Sequence, residues 1–115
     1  MIKKKFGNLK ESFSERVIQI ARSIPKGKVT TYGRIAKAAG GGPMASQSIT
    51  AILGKAWERG QKDIPFHRIV YADGRVWVDE RYHKERLKRY KAEGITLDAH
   101  NRVVDFHDKL FLDEF

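Results

Sequence analysis

The sequence predicts a mainly α-helical domain with one small β-hairpin, a winged-helix arrangement containing a helix-turn-helix. Three observations carry this. Residues 32–39 and 45–57 have helical apolar spacing and flank the stop signal Gly40-Gly41-Gly42-Pro43. Behind them, Ile64-Pro65-Phe66-His67-Arg68-Ile69-Val70 is a largely apolar run that enters the turn Tyr71-Ala72-Asp73-Gly74. Arg75-Val76-Trp77-Val78 then alternates, so residues 66–78 read as a hairpin beside the helix pair.

Taken in order, residues 1–11 are basic, with Lys3, Lys4, Lys5 and Lys10, and read as a flexible N-terminus. Ser12 or Ser14 caps a first helix that runs to about Ser23, and Phe13, Val17, Ile20 and Ile24 form its apolar stripe. Pro25 and Gly27 end it. After the basic connector 26–29, Thr30 or Thr31 caps the second helix, with Ile35, Ala36 and Ala39 inward. In the third helix Ile49, Ile52, Leu53 and Ala56 face the core, leaving Ser46, Gln47, Thr50 and Gly54 outward. The glycine run between these helices is a turn, because no lysine–hydroxyl pair follows it as a phosphate loop requires. A fourth helix is expected over 79–93, closed by Gly94. Its Arg81, Lys84, Lys88 and Lys91 share one side and read as a solvated face. Residues 96–115 read as a C-terminal extension that packs back on a single domain, 1–115.

Composition narrows the function classes. The 115 residues hold enough apolar side chains for one modest core. No apolar run approaches the ~18–20 residues that span a bilayer, and no signal-peptide pattern follows the first lysines. A soluble, cytoplasmic protein without a membrane partner is expected, nucleoid-associated in a prokaryote or nuclear in a eukaryote. There is no cysteine, which excludes disulfides, thiolate catalysis and cysteine-type zinc sites. The four histidines lack metal-ligand spacing, so neither a metal nor a cofactor is expected. The net charge is +9. Residues 1–78 carry 15 Lys and Arg against 5 Asp and Glu, whereas residues 79–115 carry 8 against 9. A basic body of this kind points to a polyanion partner, most simply nucleic acid.

Three segments carry a family resemblance. Ile24-Pro25-Lys26-Gly27-Lys28-Val29-Thr30-Thr31-Tyr32-Gly33-Arg34-Ile35-Ala36 resembles the IPxGxVxTYGxIA segment of the O(6)-alkylguanine-DNA alkyltransferases. Pro65-Phe66-His67-Arg68-Ile69-Val70 resembles their PCHRV active-site segment, and Ala92-Glu93-Gly94-Ile95 resembles their xEG. Order and spacing agree over residues 13–95. The stretch Asn101-Arg102-Val103-Val104-Asp105-Phe106 is similar to the tail of the alkyltransferase-like subfamily.

The resemblance implies the winged-helix fold of the alkyltransferase C-terminal domain. In active members a cysteine takes the alkyl group from a flipped-out base; a histidine acts on it through water, and a glutamate orients the histidine. Here Phe66 stands at the nucleophile position, with His67 and Glu93 retained as pocket support. No residue is then catalytic, and the protein is expected not to be an enzyme. The implied function is recognition of alkylated guanine in double-stranded DNA by minor-groove binding and base flipping, flagging damage for nucleotide excision repair proteins. The implied DNA contacts are Thr31, Tyr32, Ser46, Gln47, Ser48 and Thr50, with Tyr32 pressing on the phosphate beside the target nucleotide. The implied lesion pocket is Pro65, Phe66, His67, Val70 and Asp79, and Arg68 is a structural residue that pairs with a carboxylate. Three places depart from the pattern: Gln47 (Ser46 or Ser48 if the register slips by one) replaces the usual arginine finger, the hinge asparagine has no match between Gly54 and Ile64, and Asp79, with Arg81 two residues on, replaces a tyrosine or arginine. The departures at Gln47 and Asp79 keep open an alternative, a regulatory or architectural winged-helix protein that binds undamaged DNA without flipping bases; on either reading a monomer is expected.

Overall fold

The computed structural model describes residues 12–42, 44–77, 80–81 and 83–112. The basic segment 1–11, Pro43, Val78, Asp79, Tyr82 and residues 113–115 lie outside the described residues.

The local signals at the start of the chain are realised closely. Helix α1 spans Phe13–Ser23, and the Ser12 side chain caps it by accepting from the Glu15 amide at 3.1 Å. A two-residue strand, β1 (Thr30–Thr31), leads directly into α2 (Tyr32–Ala38). Thr31 is the cap, accepting from the Arg34 amide at 3.1 Å. The glycine turn packs tightly against α1. A Cβ added at Gly41 would lie 2.9 Å from the Phe13 ring and 3.0 Å from the Ala36 carbonyl oxygen, so only glycine lets the chain pass there.

The third helix differs from expectation. Ala45–Ser48 forms a 3-10 turn, and α3 proper runs over Ile49–Glu58. The Ser48 hydroxyl donates to the Ala45 carbonyl at 2.8 Å, the kind of local serine bond that competes with α-helical pairing.

The expected hairpin is replaced by a parallel pair. A second 3-10 turn, Phe66–Arg68, precedes strand β2 (Ile69–Val70), which pairs with β1 in the register Thr30–Ile69 and Thr31–Val70. The Asp73-Gly74 turn does form, with the Gly74 amide donating to the Tyr71 carbonyl at 2.9 Å. Beyond it the chain leaves β2. Arg75 bridges antiparallel to Arg102, and the Val76 amide donates to the Asn101 carbonyl at 2.9 Å. The reason lies in burial: Ile69 and Val70 are both buried, as in a strand covered on both faces, and the C-terminal extension takes the returning segment.

Helix α4 covers His83–Ala92, later than the expected start. The extension then packs back as anticipated, through a one-turn helix α5 (Phe106–Lys109) that the alternating sequence hid. The Val29 amide donates to Lys109 at 2.9 Å and the Phe111 amide donates to Val29 at 2.7 Å.

Among the described residues two hydrophobic clusters result. One gathers Val17, Ile20, Ile35, Ile49 and Leu53 from α1–α3 together with Ile69; the other gathers Val29, Val70, Val76, Tyr90 and Val103. Consecutive residues of a strand point to opposite faces, so Ile69 and Val70 feed different cores and the parallel pair lies between them.

Candidate base pocket and DNA-facing surface

Glu93, one residue past α4, is the hub of the site. Its carboxylate accepts from His67 Nε2 at 2.6 Å, from Arg68 Nε at 3.0 Å and Nη2 at 2.9 Å, and from the Gly27 amide at 3.1 Å. Gly27 has φ +82°, and a Cβ there would sit 3.3 Å from the Glu93 carbonyl oxygen, so a glycine is required for this approach. Arg68 spends its remaining Nη1 on the Ile24 carbonyl at 2.9 Å. Tyr90, on the buried side of α4, donates its hydroxyl to the His67 carbonyl at 2.7 Å. One carboxylate thereby ties the end of α1, the 66–68 turn and the end of α4 together, and Arg68 has the carboxylate partner expected of it.

The electrostatics follow from that geometry. Burial pushes the Glu93 carboxyl up, but the hydrogen bonds from Arg68, His67 and Gly27 outweigh it and bring the pKa down to about 2. Burial lowers the His67 pKa against the opposing pull of Glu93. At neutral pH the pair is therefore a neutral imidazole donating Nε2–H to a carboxylate, a tautomer assigned from the hydrogen bond, with Nδ1 left as an acceptor.

Both shifts make acid destabilising. The unfolded chain takes up a proton on His67 below about pH 6.5 while the folded chain resists it, so stability begins to fall there. The Glu93 contribution is complete above the ordinary value of 4.5 and is lost as pH falls toward 2. Urea unfolding across this range should give a plateau near neutrality and a two-stage decline. In Glu93→Gln the stage below pH 4.5 should shrink to the part that comes from Asp73 and Asp98, whose pKa values backbone hydrogen bonds lower; an undiminished stage would assign it wholly to carboxylates other than Glu93.

Beside this hub lies a groove of about 780 Å³ between α3, residues 64–67, Trp77 and α4. Trp57, Ile64, Phe66 and Trp77 give it apolar walls, and Glu58, Glu85, Arg86 and Arg89 edge it. Phe66 meets Trp57 edge to face, with ring centroids 5.4 Å apart. Phe66 and His67, two of the residues expected in a pocket, line this groove. Two other expected pocket residues do not. Val70 is fully buried in the second core, facing away because it is a ladder residue of β2, and Pro65 is buried behind the wall. Asp79 lies outside the described residues. Trp57, Ile64, Trp77 and Arg86 were missed, since the groove arises from packing α4 against the 66–68 turn, across from α3; a tryptophan in each flanking segment was the available signal.

On the DNA-facing candidates the structure divides the set. Tyr32 opens α2 half-buried, its ring 5.9 Å from that of Tyr71, over which Arg75 lies at 5.1 Å. Burial, then the neighbouring Tyr71, raises the Tyr32 phenol pKa, so it stays neutral. Gln47, Ser48 and Thr50 are exposed, and Ser46 is half-buried at a small cleft with Gly33, Lys37 and Gly42. Thr31 is a correction. It is only 3% exposed, and its hydroxyl is taken up in capping α2.

Residues 12–95 match the family described as 6-O-methylguanine DNA methyltransferase, DNA binding domain. A protein of Escherichia coli (strain K12) named DNA base-flipping protein is 32% identical over 93 residues, covering 81% of this chain and 70% of that protein. A DNA base-flipping protein of Vibrio parahaemolyticus is 31% identical over 94 residues, covering 82% and 91%. The methylated-DNA--protein-cysteine methyltransferase of Methanothermobacter thermautotrophicus is 30% identical over 96 residues, 82% of this chain but 50% of that protein. Among solved structures, S. pombe Atl1 in complex with damaged DNA containing O6-carboxymethylguanine aligns with a TM-score of 0.60 over 90% of this chain and 92% of that chain. At 24% identity, that likeness is one of fold, and it carries the expected alkyltransferase-like architecture. The chain belongs to the family of the 6-O-methylguanine DNA methyltransferase DNA-binding domain.

Proposed function

We propose that this protein is a non-enzymatic reader of alkylated guanine. It binds duplex DNA with α3 in the minor groove, rotates the damaged nucleotide out, holds it against Phe66 and marks the site for nucleotide excision repair. The observation that carries this reading is Phe66 at the wall of a groove beside an intact His67–Glu93 pair, in a chain without cysteine. Alkyl transfer needs a nucleophilic lone pair, which a phenyl ring lacks, while the retained pair still fixes the floor of the pocket. The naming of two relatives as DNA base-flipping proteins supports the same reading.

The roles follow. Tyr32 acts on the phosphate beside the target, and the exposed amide of Gln47 enters the space the base vacates. Ser46, Ser48 and Thr50 are short enough to let α3 approach the backbone. Extruding a base costs a few kcal/mol, least for a damaged or mispaired one, so the flip itself favours lesions. The protein acts as a monomer in the compartment that holds its DNA.

Fluorescence anisotropy at fixed salt, with duplexes that differ by a single O(6)-methylguanine, tests this. The lesion duplex should bind about tenfold tighter or better, a difference of ~1.4 kcal/mol. Tyr32→Ala should erase most of that preference while lowering affinity for undamaged duplex much less. Equal affinities in the unsubstituted protein would leave only general DNA binding, as expected of a winged-helix protein that does not flip bases. No label should pass from methyl-labelled DNA to the protein, and any adduct would overturn the non-enzymatic reading.

A further inference from the structure

Side chains continue the parallel pair beyond its last rung. Thr31 pairs with Val70, so the next residue of each chain segment, Tyr32 and Tyr71, emerges beside the other. Their ring centroids lie 5.9 Å apart, with the planes at 44°. Tyr71 has a second partner: the Arg75 guanidinium lies 5.1 Å from its ring centre. Tyr32 and Tyr71 are half-buried and Arg75 is exposed, so the row runs from the start of α2 out to solvent and ends in a cation.

Main chain holds this row in place. The Tyr71 amide donates to the Arg75 carbonyl at 2.9 Å, which sets Arg75 across the turn from Tyr71. Gly74 has φ +86°, and a Cβ there would sit 3.1 Å from the Phe106 ring; the Val103 amide donates to the Gly74 carbonyl at 2.9 Å. The C-terminal extension thereby fixes the turn that presents Tyr71 and Arg75. Asp73, the acidic group of the turn, accepts from the Arg75 amide at 3.0 Å and lies 3.6 Å from Arg102, so its carboxylate is engaged locally.

We infer that Tyr71 is a positioning residue whose ring fixes the phenol of Tyr32, and that Arg75 meets the phosphate on which Tyr32 acts. This rests on the base-flipping reading above and adds to it the groups that steady the pushing residue and supply its charge. A guanidinium braced on an aromatic face keeps its N–H fork available to a phosphate. Arg75 also brings a charge that Gln47, at the position of the usual arginine finger, lacks.

Fluorescence anisotropy over a range of salt, on duplexes with and without one O(6)-methylguanine, tests both parts. Tyr71→Ala should weaken lesion binding about threefold to tenfold, the effect of one aromatic pair, and lower affinity for undamaged duplex much less. In a Tyr32→Ala background the same change should add almost nothing, since the ring that Tyr71 holds is gone. Tyr71→Phe should keep the preference, because the ring and not the hydroxyl does the holding; Tyr71→Leu takes the place of Tyr71→Ala if that variant does not fold. Arg75→Ala should weaken binding to both duplexes and flatten the slope of log affinity against log salt by about 0.9, the share of one phosphate, with Arg75→Lys keeping the slope. Equal losses from Tyr71→Ala with and without Tyr32, or an unchanged lesion preference, would overturn the positioning role. An unchanged salt slope in Arg75→Ala would overturn the phosphate contact, and either result leaves the lesion-reading function intact. Absence of lesion preference in the unsubstituted protein would instead remove the function on which the row depends.

Discussion

Replacing Glu93 with alanine should cost the fold about 3–5 kcal/mol, because it leaves a buried guanidinium without its counter-charge. The Arg68 and Glu93 side chains are 14% and 9% exposed, so water cannot replace the lost carboxylate fully. Alanine also strands the His67 Nε2 donor and the Gly27 amide, each of which now has Glu93 as acceptor. Urea denaturation followed by circular dichroism checks this, read as a lower midpoint at unchanged slope. A loss below about 1 kcal/mol would mean that the cluster is as weak as a surface ion pair. Adding Arg68→Met to Glu93→Ala should cost less than the two single changes combined, since the charge no longer needs a partner.

Tyr90→Ala should be comparably damaging, by about 3–5 kcal/mol, through the loss of a large core side chain. Tyr90 is 2% exposed, fills the second cluster, and lies 6.0 Å from the His67 ring while donating to the His67 carbonyl. Tyr90→Phe separates the two effects. It keeps the ring and leaves the His67 carbonyl without its hydroxyl donor, so it should cost about 1–3 kcal/mol. Equal losses for the two variants would place the stabilisation in the hydroxyl rather than in packing. In either variant lesion affinity should fall along with stability, because the turn that carries Phe66 and His67 is anchored by this bond.

What the sequence reveals and what it hides divides along a physical line. A serine cap at 12 or 14, a threonine cap at 30 or 31, the α1 stripe and the α2 boundaries are local, within a turn or two, and were readable as such; the structure selects Ser12 and Thr31. The Asp73-Gly74 turn was equally local and equally right. Its strand partner was not, because which edge Arg75–Val76 joins depends on residues near 102, brought in by the C-terminal extension. At the site the same rule holds. The proposed replacement of a thiol by Phe66 rests on one residue, and Arg68 could be assigned a carboxylate by type. Trp77 and Arg86 could not be assigned to the groove, since their meeting depends on how α4 lies against the 66–68 turn. Thr31 and Val70 were misassigned because a motif match says where a residue is in the chain and not which way it faces.

The parallel pair has one more consequence. Tyr32 follows β1 directly and the Phe66–Arg68 turn precedes β2 directly, so two rungs of main-chain pairing set the interval between the residue proposed to push the nucleotide and the pocket proposed to receive it. That interval is a property of the backbone, indifferent to the side chain carried at position 66. Within this framework the chemistry of the receiving wall is interchangeable: one scaffold can present a reacting group or an inert ring at the same distance from the tyrosine, and a change from repair to recognition needs no change of shape.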